Sequence, residues 1–227
     1  MRDVVIKNEK SFSVPILLLI FAVTAAVILI LWQSENARLP DNVGRELKGE
    51  EFNEVMERNS PLIEYAYLSP NADFPREGEI KKITVHHMAG EMTLEECGKM
   101  FGNHDRSASS NYAIDSEGKI AIYVEEQNRA WTSSNRENDS QAVTIEVSND
   151  ELEGDWHVSD KALNSLIELC ADICRRNDIH MLNFTGDING NLTIHSMFSD
   201  KTDCPGPYLK SKLPCIVDEV NKRLISW

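Results

Sequence analysis

Residues 80–102, IKKITVHHMAGEMTLEECGKMFG, hold a strand signal followed at once by a helix signal, and that pairing sets the fold class. Ile80–His87 is rich in β-branched residues and reads as a strand. Thr93 then precedes LEECGKMF with Glu96 three positions on, the capping-box spacing that opens a helix. Working outward, Asn111–Asp115 and Lys119–Val124 flank the tripeptide SEG and read as a hairpin. Ala142–Ser148, AVTIEVS, is a further strand. After Ser159, the residues Leu163, Leu166, Ile167, Cys170, Ile173 and Cys174 fall on one apolar stripe at helical spacing. A last helix is expected over Tyr208–Leu224. Strands and helices mixed in this way predict one α/β domain over 61–227, a central mixed sheet flanked by helices.

Upstream the composition changes. Val14–Trp32, VPILLLIFAVTAAVILILW, is 19 residues without a charge. At ~1.5 Å per residue such a helix comes close to the ~30 Å hydrocarbon core of a bilayer. The run is longer than a signal-peptide apolar region and lacks a small-x-small cleavage site. A core helix would carry a polar face, and this one has none. The expected organisation is a short cytoplasmic N-terminus over 1–12, a transmembrane anchor over 13–32, an acidic tether over 33–60 and the folded domain beyond. Arg2, Lys7 and Lys10 before the apolar run outnumber Arg38 after it, which favours an extracytoplasmic domain.

With 23 basic and 37 acidic residues among 227, the chain carries a net charge of −14. That excludes nucleic acid as a partner bound through its phosphates, because no basic surplus exists to displace counterions. Five cysteines are present. Cys170 and Cys174 lie on the apolar stripe and read as small core hydrophobes. Cys97 and Cys215 fall within expected helices, where a bridge outside the cell stays open. Cys204 stands apart in the turn-forming context TDCPGP.

Three features carry ligand chemistry: the His86-His87 pair at a strand end, His195 in LTIHSMF, and Cys204 nine residues later. Neighbouring strand residues face opposite ways, so only one of the paired histidines can enter a given site. Two imidazoles and one thiolate suit Zn²⁺ and leave the fourth tetrahedral position open. From spacing alone the same residues also read as unrelated histidines and a buried thiol.

ITVHHMAG (83–90), SSNYAIDSEGKIAIYVEEQNRAW (109–131), AVTIEVSND (142–150) and IHSMFSDKTDCPGPYL (194–209), in this order and spacing, resemble the zinc-dependent N-acetylmuramoyl-L-alanine amidases of the type 2 amidase and peptidoglycan-recognition-protein superfamily, lysin-like members above all. The resemblance implies one Zn²⁺ per domain, held by His86, His195 and Cys204, with His87 and Asp203 left as ordinary strand and loop residues. It implies Glu146 as general base and peptidoglycan as substrate. The family's frequent oxyanion lysine, two residues before the third ligand, is Thr202 here, with Lys201 adjacent. Ser110-Asn111 replaces the family's Tyr-His or Ser-His, so Asn111 either binds substrate or caps its strand. Trp131 is expected to line the groove. Glu125, Glu126, His104, His157 and His180 are expected at the solvated surface. The alternative implied function is a catalytically silent peptidoglycan-recognition protein, from which the intact Cys204 argues away. An acidic domain gains nothing from charge against anionic wall polymers, so binding is expected to rest on a specific groove and the metal.

Overall fold

The computed structural model describes residue 16, residues 18–27 and residues 39–226, and the chain divides into two units, 1–39 and 40–227. In the first unit, residues 18–27 are helical. Residues 13–15, 17 and 28–32 of the expected span lie outside the described residues, and among those described no helix is long and apolar enough to cross a membrane.

The second unit begins earlier than expected. Helix α1 (Gly49–Arg58) buries Val55, and Leu47 before it is buried in the same core. Val43, Phe52 and Met56 pack against that core as well. This corrects the tether over 40–60, while residues 33–38 of that expectation lie outside the described residues: from Pro40 onward the chain is part of the domain, with Val43, Leu47, Phe52, Val55 and Met56 on one contact surface.

Eight strands follow: β1 (Ile63–Ala66), β2 (Ala72–Asp73), β3 (Lys82–His87), β4 (Tyr112–Ile114), β5 (Ile120–Ile122), β6 (Arg129–Ala130), β7 (Ala142–Val147) and β8 (Leu192–Ile194). The helices among and after them are α2 (Leu94–Gly102), α3 (Arg136–Gln141), α4 (Asp160–Arg176) and α5 (Gly206–Ile225). Six strands form one sheet in the order β1-β5-β4-β7-β3-β8, and β2 pairs with β6 separately. Within the six, β4 and β5 are antiparallel and the other neighbours parallel, so the sheet is mixed as expected.

Local signals explain the elements. Thr93 and Glu96 form the reciprocal capping box that opens α2. Ser159 Oγ accepts from Ala162 N–H at 3.1 Å and caps α4. The β4–β5 hairpin turns at Gly118, whose φ of +83° favours glycine and whose added Cβ would lie 2.9 Å from the Lys161 carbonyl oxygen. The carboxylate of Asp115 accepts from the N–H groups of Glu117 and Lys119 across the same turn.

Alternation along the strands then separates two faces. Ile83 and Val85, Tyr112 and Ile114, Ile120 and Ile122, and Val143, Ile145 and Val147 join the large core that also holds the buried residues of α4 and α5. The stripe on α4 is wider than expected, since Leu169 and Ala171 are buried too. On the opposite face Ala113 and Ala121 pack with Leu94, Cys97 and Phe101 of α2. The rest of that face is polar: Thr84 and His86 of β3, Thr144 and Glu146 of β7, and Thr193 of β8. Parallel register sets His86 beside Glu146 and Thr84 beside both Thr144 and Thr193.

Candidate active site

The polar face ends in a cleft at the carboxyl ends of β3, β7 and β8, where ligands commonly bind in α/β sheets. His86 is the penultimate residue of β3, and Glu146 that of β7. His195 opens a short 3₁₀ turn directly after β8, and Cys204 lies two residues before the start of α5, ahead of its N-cap Pro205. The ligand atoms of His86, His195 and Cys204 all lie within 4.8 Å of one another. Cys204 Sγ is 3.6 Å from His86 Nδ1, and the His86 and His195 ring centroids are 4.8 Å apart.

Backbone contacts hold Cys204 in place. Its N–H donates to Thr202 Oγ1 at 3.1 Å, its carbonyl accepts from Ser196 N–H at 3.1 Å, and Sγ accepts from His87 N–H at 3.4 Å. The chain turns at Gly206, whose φ is +80° and whose added Cβ would sit 3.2 Å from the His87 ring and from Trp156. A side chain there would push the turn, and Cys204 with it, away from β3.

The electrostatics suit a cation. Burial is the main cause holding His86 well below the usual imidazole range, and it lowers His195 as well, so both rings favour the neutral form with a free lone pair. Burial pushes the Cys204 thiol up, and the nearby Glu146 charge adds to the rise. A bound divalent ion would reverse that preference, since a coordinating thiol is deprotonated. His86 Nε2 and Glu146 Oε2 are buried without a hydrogen-bond partner. Two neutral imidazoles, a thiol and an unpartnered buried nitrogen fit Zn²⁺ chemically. Burial raises the Glu146 carboxyl to about 8, opposed by the charge of Arg106. Its Oε1 stands 3.9 Å from His86 Nδ1.

The cleft is a cavity of about 340 Å³, walled by Met88, Met100, Phe101, Trp131, Thr202 and Arg106 among others, with Glu146, His195 and Cys204 in its lining. Trp131 lines it as expected from sequence, its indole N–H donating to Asp73 Oδ1 at 2.9 Å. Asp73 is in turn paired with Arg129 and Arg136, each at 2.8 Å. Behind the wall, the buried Asp139 carboxylate accepts from the N–H groups of Thr132 and Ser133. Thr132 and Ser133, directly after Trp131, are thus tied down by a buried acid.

Several expectations need correction. Asn111 is fully buried and is not part of the cleft lining; its Nδ2 donates to the Val124 carbonyl and its Oδ1 accepts from Thr144 N–H, so it ties β4, β7 and the hairpin together. Lys201 is exposed and is not part of the cleft lining, whereas Thr202 is. Glu125 and Glu126 are buried, not solvated. Glu125 pairs with Arg58 of α1 at 3.0 Å. Glu126 accepts from Tyr112 Oη at 2.6 Å, Arg176 at 2.7 Å and Asn177 at 3.0 Å. His87 does face away from His86, its ring edge-on to Trp156 at 5.4 Å between centroids. His104 and His180 are exposed, and His157 is half-buried against Asp150 at 2.7 Å. All five cysteines are free thiols. Sequence reasoning missed Arg106, which ends a one-turn 3₁₀ segment, His104–Arg106, too short to give a periodic signal.

Known proteins carry the same architecture. The family profile of N-acetylmuramoyl-L-alanine amidase matches residues 76–207. Among solved structures, the Staphylococcus aureus hydrolase AmiA, determined in complex with its ligand, superposes with a TM-score of 0.55 at 16% identity, covering 80% of this chain and 93% of that one. AmpD superposes with a TM-score of 0.53 at 18% identity over 67% and 93% of the two chains, and PlyL with 0.50 at 17% over 74% and 91%. At these identities the likeness establishes the shared fold. No curated protein sequence matches the chain.

Proposed function

The chain belongs to the N-acetylmuramoyl-L-alanine amidase family, and on that footing we propose that it hydrolyses the amide bond between N-acetylmuramic acid and the L-alanine of the peptidoglycan stem peptide, using one zinc ion held by His86, His195 and Cys204. The observation that carries the reading is the gathering of these three ligand atoms within 4.8 Å in a cleft that also exposes Glu146 to a reacting group. When bound, the ion supplies Lewis acidity, polarising the scissile carbonyl and making water a stronger acid.

The chain's own residues do the rest. Glu146, whose side chain lines the cleft, takes a proton from the attacking water on its carboxylate and delivers it to the leaving amine of L-alanine. A carboxyl raised to about 8 by burial holds and releases a proton near neutrality, which such a relay needs. Thr202 Oγ1 already accepts the Cys204 N–H, so its hydroxyl proton stays available to the oxyanion in place of the family's lysine. Trp131, fixed by Asp73, gives the cleft a rigid wall. The apolar run Val14–Trp32 serves as a single-pass anchor that puts this domain outside the cytoplasm, where peptidoglycan lies. A reporter fused after Trp227 that is active only as a cytoplasmic marker would reverse that topology.

Digestion of purified peptidoglycan by the full chain tests the activity. Free stem peptides with N-terminal L-alanine are the expected product; new reducing sugar ends without free peptide would make the protein a glycosidase and sink the proposal.

A further inference from the structure

A second cavity, of about 520 Å³, adjoins the cleft between α5 and the loop at 149–157. His87, Ala89, Thr202 and Cys204 line both cavities, so the two meet at Cys204. Arg106, Trp131 and Glu146 belong to the cleft alone, and Gly154, Trp156 and Lys210 to the second cavity alone. Its volume lies within the range of about 300–1,000 Å³ found for small-molecule sites.

The wall of this cavity holds an aromatic ring in place. Trp156 has a φ of +55°, a left-handed conformation that a bulky residue rarely takes. Its loop is tied to itself and to α5. Asn149 Nδ2 donates to the Trp156 carbonyl at 2.8 Å, Asp150 N–H to the His157 carbonyl at 3.1 Å, and Tyr208 N–H to the Asp155 carbonyl at 3.0 Å. The indole stands nearly perpendicular to the His87 ring. Trp131 spends its indole N–H on Asp73, whereas that of Trp156 has no partner among the described residues. Lys210 approaches only the exposed Asp203, at 4.0 Å. Together these groups match a sugar ring: an aromatic face for its C–H surface, with donors and an acceptor at the rim for its hydroxyl and acetamido groups.

We propose that the second cavity binds the N-acetylated sugar ring on the acyl side of the scissile amide, packed on Trp156, and so makes the sugar a specificity determinant. This rests on the amidase reading above. Proton transfer gives the direction. Glu146 serves the leaving amine and lines only the cleft, so the peptide half of the amide lies there. The acyl half, a lactyl group carrying its sugar, is left for the second cavity across Cys204. The lactyl carboxyl is consumed in the scissile bond, so this half is uncharged, and an aromatic platform suits it.

The test uses the full chain with zinc and two synthetic substrates. One is an N-acetylmuramoyl-L-alanyl dipeptide; the other carries the same peptide on D-lactic acid, without the sugar. The wild type should favour the sugar by about tenfold in kcat/KM, the worth of one aromatic contact with a hydrogen bond. Trp156→Ala should bring that ratio near one, with the change falling on KM. Trp156→Asn, which tolerates the left-handed backbone, should do the same. A wild type without the preference, or variants that keep it, overturns the assignment. Equal losses on both substrates by Trp156→Asn would make the residue structural and overturn it as well. If the wild type cleaved neither substrate, the amidase reading would fail instead. Magnetic resonance of the chelator-treated full chain, isotope-labelled at its tryptophan indole nitrogens, would then still decide the point. The Trp156 signal, assigned by its loss in Trp156→Phe, should shift with the muramoyl peptide and not with the lactyl peptide. No shift, or the same shift with both, overturns the proposal.

Discussion

Glu146→Gln in the metal-free protein offers a thermodynamic reading of the site that needs no substrate. Burial raises the Glu146 carboxyl from the ordinary 4.5 to about 8. Between those two pH values the folded state keeps a proton that the unfolded state has released, so the folded state binds more protons and stability falls as pH rises. Below about 4.5 the carboxyl is protonated in both states and the effect is absent; above about 8 it has reached its full size. At ~1.4 kcal/mol per pH unit the window sets a ceiling of ~5 kcal/mol. The side chain keeps 17% of its surface in contact with water, which relieves part of the burial and brings the expected loss to about 2–3 kcal/mol. Glutamine is close in shape and does not ionise, so it escapes the penalty. Neutral His86, His87 and His195 add their own pH dependence with the opposite slope at lower pH, but they are present in both proteins and largely cancel in the difference. Urea unfolding of chelator-treated wild type and Glu146→Gln at pH 5 and pH 8.5 measures it. The variant should gain about 1 M in midpoint over the wild type between the two conditions, taking a slope of ~2 kcal/mol per M. Parallel midpoints at both pH values would refute the buried, raised carboxyl.

Other perturbations separate parts of the structure. Val55→Ala should cost about 2 kcal/mol in urea unfolding, because its side chain is wholly buried under α1; a tether would lose nothing. Tyr112→Phe removes the 2.6 Å hydrogen bond to buried Glu126 and should cost about 1–3 kcal/mol by the same assay, with turnover retained. Lys201→Ala should leave turnover within about twofold of wild type, while Thr202→Ala should lower kcat about tenfold or more, as loss of one oxyanion donor does; equal effects would contradict the placement of these two side chains.

The parts of the site that could be read from sequence are those set by short-range rules. Strand alternation separated His86 from His87 and set Glu146 opposite Ile145 and Val147, and parallel register turned those parities into a shared face. The capping box at Thr93 depends on residues three positions apart, so it was visible as well, and the apolar stripe after Ser159 marked the start of α4. Residues whose roles depend on distant partners were not. Glu125 and Glu126 look like a solvated pair until Arg58, Tyr112 and Arg176 are brought to them by α1, β4 and α4. Asn111 looked like a site residue because its neighbours matched a motif, whereas its amide is used up between strands. Residues 40–60 looked like a tether because only a few apolar side chains interrupt the acidic run, and those few are the ones that pack. Arg106 carried no local signal; only the folded chain brings it into the cleft lining.

The central claim is a zinc amidase whose ion is held by His86, His195 and Cys204. Zinc titrated into the chelator-treated full chain, with release of the free amine from a muramoyl-L-alanyl peptide followed at each addition, tests it most directly. Activity should rise from zero to a plateau at about one zinc per chain, and Cys204→Ser should fail to reach that plateau at the same zinc. Full turnover by the metal-free chain, or by Cys204→Ser with an unchanged titration curve, would contradict the account.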